Sequence, residues 1–560
     1  MAPMREPTQR PGPGESVFNK AYSLDGLKIW NLGGWMGGAP GGVHLGSKSV
    51  VVEYSTVANP STPADWSDWY IGDFAEQSSS PVPYPVTQQL DLADVSAKHV
   101  ALSIITDQGY SVGGVYAGLA EIQFTYVPDP EPVLDIAVGA RTRMSALQYE
   151  NQNVVTVSRA GTVAAFYQQP SGARYYRTST DKGITWGSET AFPPYPGTMS
   201  AGLPAGGVVA MINQATPVGG GSPPVASDLE STRILYSDDF TTYGTSTVPV
   251  TLPNAVMHTK WANFWPVWDK GKMIQLDNGD LLANMYGELQ GDGGWCRAML
   301  MESSDQGQSW QYRSTIAYSA TDPDPGLPGD YCGFPETSVT LLANGQLLTM
   351  MRTQGSHIGP DYRPMYVAWS DDLGLTWTDP KPTSPHLMNV WPTLMTLDNG
   401  VVAVAYGRPG GHVAFSTDHG HTWSEIETFA TEGEPSLTGY ADMVKVGPNE
   451  LMLIAGVGGG TYVYPIRADL AGDVDGDGFV GGDDLTIILT NWGLSGMTRE
   501  QGDLTGEGFV GGDDYTEVLS YWGTGIGLGA VLASVPEPTV LLLLSLAGLT
   551  ILRRRALRRV

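Results

Sequence analysis

Acidic residues recur near the C-terminal end of the chain at the spacing of a calcium-binding loop. Residues 473–484 (DVDGDGFVGGDD) place carboxylates at positions 1, 3, 5 and 12, with a glycine at position 6 that allows a sharp turn. Ca2+ prefers oxygen ligands, and a loop of this kind surrounds one ion, with a main-chain carbonyl contributed from position 7. The sequence therefore predicts a calcium site with these ligands: Asp473, Asp475, Asp477, Phe479 and Asp484.

The same loop returns thirty residues later, at residues 503–514 (DLTGEGFVGGDD). Position 3 is now Thr505, whose neutral oxygen replaces the charge of Asp475, so we expect the second loop to bind Ca2+ more weakly. Each loop leads into a segment that ends in Trp-Gly and that we predict to be a short helix. The ligands predicted for this second site are Asp503, Thr505, Glu507, Phe509 and Asp514.

This tandem of loop and helix, with aspartate rather than glutamate at position 12, resembles a dockerin over residues 470–525. The resemblance implies a small α-helical domain with a pair of EF-hand-type loops, ordered by Ca2+, which a cohesin-type partner protein could bind. An acidic linker is the alternative, but a linker does not explain why both the loop and the helix are repeated.

Four copies of a turn motif, S-x-D-x-G-x-[ST]-W, lie upstream of these loops. In this motif the aspartate accepts hydrogen bonds from main-chain N–H groups, the glycine supplies a positive φ, and the tryptophan buries a large ring. One copy would be weak evidence, but four indicate a repeat architecture. The copies are residues 179–186, 303–310, 370–377 and 416–423, with a partial copy at 237–239.

Apolar segments with two-residue alternation flank small turns between these motifs. Asn-Gly between such segments is a strong hairpin signal, and most of the six hairpins precede a turn motif. Units of about four strands predict an all-β fold, with a six-bladed β-propeller over residues 134–467. The hairpin turns are expected near Gly161, Gly206, Asn278, Asn344, Asn399 and Asn449.

The turn motif and the propeller together resemble the sialidase (neuraminidase, BNR-repeat) superfamily, in which the motif is called the Asp box. The resemblance implies a central cleft with three arginines for a substrate carboxylate, a tyrosine nucleophile activated by a glutamate, and an aspartate as acid and base. A guanidinium can bind both carboxylate oxygens at once. A neutral phenol can approach an anionic sugar without charge repulsion.

Four residues match that superfamily in order and context. Glu336 lies in FPETSV before a hairpin, and Arg352 ends the same hairpin. Arg408 follows the next hairpin, and Tyr440 opens the last one. The resemblance implies that Tyr440 is the nucleophile, that Glu336 activates it, and that Arg352 and Arg408 bind the substrate. Surface arginines and a packed tyrosine are the structural alternative.

The N-terminal half of the propeller departs from the superfamily pattern. Arg143 is a displaced candidate for the first arginine, and the interval before Asp181 offers no aspartate for the acid. Trp261 and Trp265, in a tryptophan-rich run, could line a sugar site by stacking. Other candidates in this part of the chain are more often structural than catalytic: His258, Lys260, Asp269 and Glu288.

Composition limits the remaining functions. A formal net charge of −28 over 560 residues argues against nucleic-acid binding, which requires a basic surface. Two cysteines, Cys296 and Cys332, are too few for a disulfide scaffold, and the sequence leaves open whether they pair or stay as thiols.

Residues 17–127 are rich in strand-forming segments, and KIWN, VVVEYS and AGLAEIQF resemble the later strands of a discoidin-like β-sandwich. The resemblance implies a glycan-binding domain or a packing domain, and we expect its first strands to be missing. A proline-rich linker follows at residues 128–133. The N-terminal MAPMREPTQRPGPGES lacks the apolar segment of a signal peptide, so we expect a truncated start.

The chain ends in VPEP, a fourteen-residue apolar run and five arginines, within residues 535–560. As a helix this run spans about 21 Å, which is short of a bilayer core of about 30 Å. The segment resembles a PEP-CTERM sorting signal, which implies cleavage by an exosortase at the surface of a Gram-negative bacterium. A permanent C-terminal anchor is the alternative, and both place the protein outside the cell.

The sequence as a whole predicts a secreted or surface glycoside hydrolase that removes a terminal acidic sugar, without a cofactor for catalysis. One alternative is a catalytically inactive, glycan-binding propeller. Another is a polysaccharide lyase on the same fold, with Tyr440 or a histidine as the base.

Overall fold

The structure is a computed structural model that describes residues 15–31, 49–55, 65–73, 88–104, 119–127, 132–147, 153–192, 194, 196–212, 214–220, 223–260, 264–327, 331–353, 363–388, 390–408, 410–431 and 440–526. The chain divides into two compact units, residues 1–131 and 132–560. This division falls within the predicted linker. The predicted sorting signal, residues 535–560, lies outside the described residues.

The prediction of an all-β fold is confirmed. The described residues form 33 strands, and the helices among them are two α-helices and one short 3-10 helix. None of the helices in the described ranges combines the length and the apolar character needed to cross a membrane.

The first unit contains an antiparallel sheet of five strands in the order β3-β2-β4-β1-β5. Val50 and Val52 are both fully buried, because alternate residues of a strand face the same side of the sheet. These strands form one sheet, whereas a sandwich consists of two, so the discoidin-like β-sandwich stays a prediction. The strands are β1 (Glu15–Asn31), β2 (Ser49–Ser55), β3 (Ser67–Asp73), β4 (Gln88–Ile104) and β5 (Leu119–Val127).

The second unit is a succession of antiparallel sheets. Two strands precede them, β6 (Leu134–Val138) and β7 (Thr142–Ser145). The first sheet contains β8 (Val154–Val157), β9 (Val163–Gln168), β10 (Arg174–Ser179) and β11 (Thr190–Ala191). A sheet of eleven strands follows, with β12 (Met199–Gly202), β13 (Val208–Met211), β14 (Thr216–Pro217), β15 (Ala226–Tyr236), β16 (Tyr243–Val256), β17 (Val267–Trp268), β18 (Gly271–Lys272), β19 (Ile274–Gln275), β20 (Leu281–Leu289), β21 (Arg297–Ser303) and β22 (Trp310–Ala317).

Three further sheets complete this unit. They contain β23 (Thr337–Leu341), β24 (Leu347–Met351), β25 (Tyr366–Ser370) and β26 (Lys381–Pro382); β27 (Thr393–Thr396), β28 (Val402–Gly407), β29 (Gly411–Ser416) and β30 (Ser424–Ala430); and β31 (Ala441–Gly447), β32 (Glu450–Val457) and β33 (Gly460–Leu470). Strand β6 pairs with β33, so the beginning of the unit completes its last sheet.

The first strands of successive four-stranded segments form a closed ring. Strand β8 contacts β12, β12 pairs with β18, and β18 contacts β23. Strand β23 then contacts β27, β27 contacts β31, and β31 returns to β8. A ring of inner strands around one axis, with the later strands of each sheet further out, is the arrangement of a β-propeller.

The Asp boxes form turns of the predicted kind. In the third copy, the Ser370 hydroxyl donates to Asp372 and accepts the N–H of Gly374, and Asp372 accepts the N–H of Thr376, each at 2.8 Å. The Thr376 hydroxyl also donates to this carboxylate, and these bonds lower the pKa of Asp372 to about 2. The residue between aspartate and glycine also has a positive φ, as at Leu373 (+55°).

The tryptophans of the Asp boxes pack either against the preceding sheet or, for Trp310, against other strands of the same sheet. Trp186 packs in a cluster with Met452 of β32, because β31–β33 are the ring neighbours of the first sheet. Trp377 donates to the hydroxyl of Ser314 on β22 at 3.2 Å. Trp310 is almost fully buried in the cluster formed by β12–β22. The first and third boxes therefore connect neighbouring sheets, and the second box stabilises the eleven-stranded sheet.

The C-terminal module, residues 471–526, follows β33 directly. Its helices are α1 (Gly482–Asn491) and α2 (Gly512–Ser520), and the short 3-10 helix Arg499–Gln501 lies between them. Each α-helix begins next to one predicted calcium loop. The two halves share a small apolar core: Val474, Val480, Ile488, Val510 and Val518.

Candidate functional site

Tyr440, Glu336 and Arg352 are in direct contact in the second unit. The Tyr440 hydroxyl donates to Glu336 Oε1 at 3.1 Å, and Arg352 Nη1 donates to Glu336 Oε2 at 2.6 Å. Arg352 Nη1 also lies 3.4 Å from the Tyr440 oxygen. The exposed fractions are 9% for Tyr440, 7% for Glu336 and 1% for Arg352. One buried carboxylate can therefore accept the proton of the phenol while the guanidinium balances its charge.

The fold brings these three residues to one end of the ring. Glu336 immediately precedes β23 and Arg352 immediately follows β24, so both lie at the open end of one hairpin. The Arg352 N–H donates to the Glu336 carbonyl at 3.2 Å, which continues the ladder of this hairpin. Tyr440 immediately precedes β31 and so lies at the same end of its own sheet.

Two of the candidate residues adopt a left-handed main-chain conformation. Glu336 has φ +44° and Arg408, which follows β28, has φ +62°. Residues other than glycine rarely adopt such values, and they cluster at functional sites because the surrounding structure must enforce them. Both strained residues carry charged side chains and lie at the same end of the ring.

Aromatic and cationic groups surround the Tyr440 ring. The Arg408 guanidinium carbon lies 5.3 Å from the ring centroid, and the half-buried Trp391 makes an edge contact at 6.1 Å between centroids. Burial raises the pKa of Tyr440 well above its usual range, and the charge of Glu336 raises it further, whereas Arg352 and Arg408 oppose both effects. The phenol is therefore protonated at neutral pH.

Asp269, one of the residues considered from the sequence, is fully buried beside this group. Its carboxylate accepts the N–H of Thr337 at 2.9 Å, the Thr337 hydroxyl at 2.6 Å and the Asn284 amide at 2.9 Å. Burial raises the pKa of Asp269 well above its usual range, and these bonds oppose the rise. Both oxygens of Asp269 accept hydrogen bonds from Thr337, the first residue of β23. Because Asp269 lies just before β18, it links the inner strands β18 and β23.

Two lysines that the sequence analysis did not single out lie next to Asp269. Lys272 on β18 forms an ion pair with the buried Asp442 on β31 at 2.9 Å. Lys270 is 1% exposed, and its ammonium has no hydrogen-bond partner within the described part of the chain. Burial lowers the pKa of Lys270 to about 8, while the charges of Asp442 and Glu336 oppose the decrease.

Lys270 and Trp391 share a signal that could have identified them. Lys270 immediately precedes β18, and Trp391 lies two residues before β27. Glu336 and Tyr440 hold the corresponding places before β23 and β31. Residues at the entry to an inner strand therefore gather at one end of the ring, whatever their type.

Two other predicted binding residues, Arg143 and Trp265, are not brought to this group. Arg143 is exposed on β7 and donates to the carbonyls of Ser145 and Ala146. Trp265 is 5% exposed and belongs to the hydrophobic cluster of β12–β22, so its ring has little surface for a sugar. The structure assigns Trp265 to the core rather than to a sugar-binding surface. Trp261 lies outside the described residues.

The remaining candidates from the sequence, His258, Lys260 and Glu288, make contacts that hold the chain around residues 258–260 and 294–296 in place. Glu288 accepts the N–H groups of Thr259 at 2.8 Å and Gly294 at 2.9 Å. His258 Nε2 lies 3.4 Å from the sulfur of Cys296, and burial lowers the pKa of this histidine. Lys260 lies over the ring of Trp295, 3.2 Å from its centroid. Cys296 and Cys332 are both buried.

The first predicted calcium loop brings three carboxylates together. Ligand oxygens of Asp473, Asp475 and Asp484 all lie within 4.8 Å of one another. Burial raises the pKa of Asp473 to about 7 and that of Asp484 to about 6, and neighbouring carboxylates add to both increases. Several main-chain N–H groups also donate to these residues, including Gly478 to Asp473 at 2.9 Å. Such a group of acids has the composition and spacing that a divalent cation requires.

The second loop has similar main-chain hydrogen bonds to its aspartates, but it lacks a group of three neighbouring carboxylates like that of loop one among the described residues. Gly508 donates to Asp503 Oδ2 at 2.7 Å, and Thr505 donates to Asp514 through both its N–H and its hydroxyl. Asp503 is 5% exposed, and its Oδ1 has no hydrogen-bond partner among the described residues. A bound cation would satisfy this oxygen.

Residues 220–468 match the family model described as BNR repeat-like domain, and this match spans less than half of the 560-residue chain. No curated protein matches the chain. The matched segment includes Glu336, Arg352, Arg408 and Tyr440 and supports a relation to the sialidase-type superfamily.

Several solved structures are similar to this chain at low identity. A protein of unknown function from Dyadobacter fermentans is 16% identical, with a TM-score of 0.44, and the match covers 61% of this chain and 100% of that chain. The Trypanosoma rangeli sialidase in complex with the inhibitor DANA is 14% identical, with a TM-score of 0.37 and coverages of 57% and 55%. A Hadza microbial sialidase is 14% identical, with a TM-score of 0.39 and coverages of 81% and 94%.

Proposed function

We propose that this chain is a glycoside hydrolase of the sialidase type that removes a terminal acidic sugar, with Tyr440 as the nucleophile. The observation that carries the proposal is the contact of the Tyr440 hydroxyl with the Glu336 carboxylate, which Arg352 also contacts. We also infer from the ring of six inner strands that residues 134–467 are a six-bladed propeller. The site then lies at one end of the axis.

The raised pKa of Tyr440 determines how the first step must proceed. The phenol keeps its proton at neutral pH, so the proton passes to Glu336 Oε1, 3.1 Å away, as the phenolic oxygen attacks the anomeric carbon. The glycosidic bond breaks, and the leaving oxygen takes a proton from an acid. Water then attacks the anomeric carbon and gives a proton to the conjugate base of that acid, the bond to the tyrosine oxygen breaks, and Glu336 returns its proton to this oxygen.

Cations and an aromatic ring near Tyr440 support an acidic sugar as the substrate. Arg408 and Arg352 provide positive charge beside the Tyr440 ring, and a planar guanidinium can bind both oxygens of a carboxylate. The half-buried Trp391 offers an apolar face beside the same ring, where a sugar could stack. Trp391 takes this role in place of Trp265.

The decisive experiment measures release of a chromophore from an aryl sialoside and an aryl uronide by the full chain. Tyr440→Phe should abolish turnover and leave substrate binding nearly intact, because only the hydroxyl is removed. Tyr236→Phe is the matched control, since Tyr236 on β15 is also buried and its hydroxyl donates to the carbonyl of Pro196, which precedes β12, and not to a residue of the site. Turnover that survives in Tyr440→Phe would exclude Tyr440 as the nucleophile.

A catalytically inactive, glycan-binding propeller is the second candidate. It is favoured by the contacts of Tyr440, which in the described part of the chain include one carboxylate, Glu336, and no separate acid for the leaving group. Binding of acidic glycosides without turnover would support this candidate. An unsaturated sugar product would instead indicate a lyase.

We further propose that both loops of the C-terminal module bind Ca2+. The close carboxylates of loop one and the unsatisfied oxygen of Asp503 in loop two support this proposal. Calorimetric titration of the full chain should detect two sites, the tighter one in loop one. Thr505→Asp should strengthen the weaker site and Asp475→Asn should weaken the tighter one, because each changes one ligand charge. Absence of any calcium-dependent heat would contradict the proposal.

Export, removal of residues 535–560 by an exosortase, and binding of a cohesin-type partner remain parts of this proposal that rest on the sequence. Mass spectrometry of the protein recovered from the surface of a Gram-negative host would test the cleavage. An uncleaved C-terminus would favour the permanent anchor.

A further inference from the structure

The C-terminal module packs through loop one against the last sheet, which contains β31–β33, and against the sheet of β27–β30. Gly478, at position 6 of this loop, lies so close to Asn399 that an added Cβ would be 2.3 Å from the Asn399 carbonyl oxygen. The Asn449 amide contacts the Gly476 carbonyl at 3.4 Å, and the Asn399 N–H donates to the Asn449 side chain at 3.3 Å. Two hairpin turns of the propeller therefore hold the calcium loop.

Loop two provides an internal comparison, because it repeats loop one in sequence and conformation. Gly508 has φ +81°, similar to +90° at Gly478, yet nothing lies within 4 Å of a Cβ added to Gly508. The same holds for Gly506, the counterpart of Gly476. The contact with the propeller is therefore a property of loop one alone among the two described loops.

Arg499 connects the module to the strand pair that closes the ring. It lies in the short 3-10 helix and donates to the carbonyl of Leu470, the last residue of β33, at 2.8 Å. Its guanidinium also forms ion pairs with Asp469 on β33 at 3.1 Å and with Asp135 on β6 at 3.4 Å. One side chain thus touches both the last strand of the propeller and the first.

The last residue of the module also packs against the propeller, next to loop one. Ile526 is buried in the hydrophobic cluster of the last two sheets, and its N–H donates to the Gly478 carbonyl at 2.9 Å. A Cβ added to Gly400, in the turn after β27, would lie 2.9 Å from Ile526. The module is therefore attached at both its beginning and its end.

We propose that the C-terminal module is an intramolecular clasp that holds β33 and β6 together, and that calcium in loop one tightens this clasp. Loop one begins three residues after Leu470, so a metal ion that fixes Asp473 also fixes the end of β33. This proposal rests on calcium binding by the loops. It gives the module a role within the chain that does not require an external partner.

The clasp and the candidate site lie at opposite ends of the same strands. Tyr440 precedes β31 and Arg408 follows β28, whereas Asn449 and Asn399 lie in the turns at the other ends of these strands. Tightening the clasp therefore leaves the entrance to the site uncovered.

Hydrogen–deuterium exchange of the full chain, with Ca2+ and with EGTA, tests the proposal. Chelation should accelerate amide exchange in β33 and β6, by up to about a hundredfold where the calcium concentration is about 100 times the dissociation constant. Peptides from β20 and β21 should be unchanged. If titration shows that calcium binds but chelation leaves β33 and β6 equally protected, the clasp is wrong. If titration shows no binding, the calcium proposal itself fails, and the calcium-dependent clasp with it.

A matched pair of variants separates the contact from metal binding. Gly478→Ala and Gly508→Ala impose the same conformational cost at position 6, but only the first adds a methyl group against the propeller. With calcium present, Gly478→Ala should accelerate exchange in β33 and β6 at least about tenfold, and Gly508→Ala should leave these strands unchanged. Equal acceleration by both variants would show that the contact of loop one has no role.

Discussion

At the scale of single residues, the candidate site depends on a charge that is almost completely removed from water. Arg352 is 1% exposed, and Glu336 balances its charge at 2.6 Å. A buried ion pair contributes little net stability, but removal of one partner leaves the other charge without compensation. The pair is therefore explained better by the chemistry of Tyr440, which it contacts, than by the stability of the fold.

Arg352→Ala should destabilise the protein by about 3–5 kcal/mol, because Glu336 would remain buried without its cation. The matched control is Arg313→Ala, which breaks the more exposed pair with Glu302 and should cost at most about 1 kcal/mol. Urea unfolding followed by tryptophan fluorescence measures both. Equal costs would contradict the assignment of Arg352 to a buried, functional pair.

Lys270→Met should stabilise the protein at neutral pH. Burial lowers the pKa of Lys270 from 10.5 to about 8, so below pH 8 the folded state carries an ammonium that the unfolded chain holds more easily. This cost is about 3 kcal/mol and disappears as the pH rises from about 8 towards 10.5. The variant should therefore exceed the wild type in unfolding free energy at pH 7 and approach it at high pH.

Lys272→Met is the control for this experiment, because Lys272 is paired with the buried Asp442 and its loss should destabilise the protein. Urea unfolding at pH 6, 7, 8 and 9.5 distinguishes the two lysines. A Lys270→Met variant that is less stable than the wild type at pH 7 would show that the Lys270 ammonium is well solvated or paired.

The sequence located part of this site and missed the rest for a physical reason. Glu336, Arg352 and Tyr440 were identifiable because hairpin order places them at one end of successive sheets. Lys270 and Trp391 hold equivalent places, but nothing in a lysine or a tryptophan alone distinguishes a residue on the axis from one at the surface. Arg143 and Trp265 matched by residue type, yet the first is exposed and the second is in the core.

At the scale of elements, the Asp boxes stabilise the packing of strands and are not part of the candidate site. Their hydrogen bonds are local, but their tryptophans pack against distant strands, either of the preceding sheet or, for Trp310, of the same sheet. Trp310 and Trp268 are in edge contact at 5.0 Å between ring centroids, in the cluster that spans β12–β22. Burial of these rings differs from one box to the next, although the motif is the same.

Trp310→Ala should therefore cost more than Trp186→Ala. Trp310 is 1% exposed, and truncation of a buried tryptophan typically costs about 3–5 kcal/mol. Trp186 occupies the same place in its own box but is only half-buried, so we expect about half that cost or less. Urea unfolding of both variants is the measurement. Equal costs would mean that the turn, and not the burial of the tryptophan ring, determines how much an Asp box contributes to the stability of the protein.

Local elements were also easier to predict than distant pairings. The hairpin from β27 to β28 follows from Asn399-Gly400 between two apolar segments, and the structure has it in that register. The pairing of β6 with β33 joins residues more than 320 positions apart, and no short-range pattern encodes such a contact. The same applies to the packing of loop one on Asn399 and Asn449.

At the scale of the whole molecule, residues 132–560 form a compact unit with its own hydrophobic clusters. A fragment of residues 132–526 should therefore fold without the first unit. We expect its urea midpoint and its turnover or binding of aryl glycosides to equal those of the full chain. A fragment that aggregates, or that unfolds at a clearly lower urea concentration, would contradict this.

The ion pair between Lys272 and Asp442 joins strands on opposite sides of the ring of inner strands, at 2.9 Å. A salt bridge across the axis prevents a polymer from threading through the centre of the molecule. A glycan that enters beside Tyr440 must withdraw along the same path. The proposed enzyme would then be non-processive, releasing one sugar at each encounter and dissociating before the next.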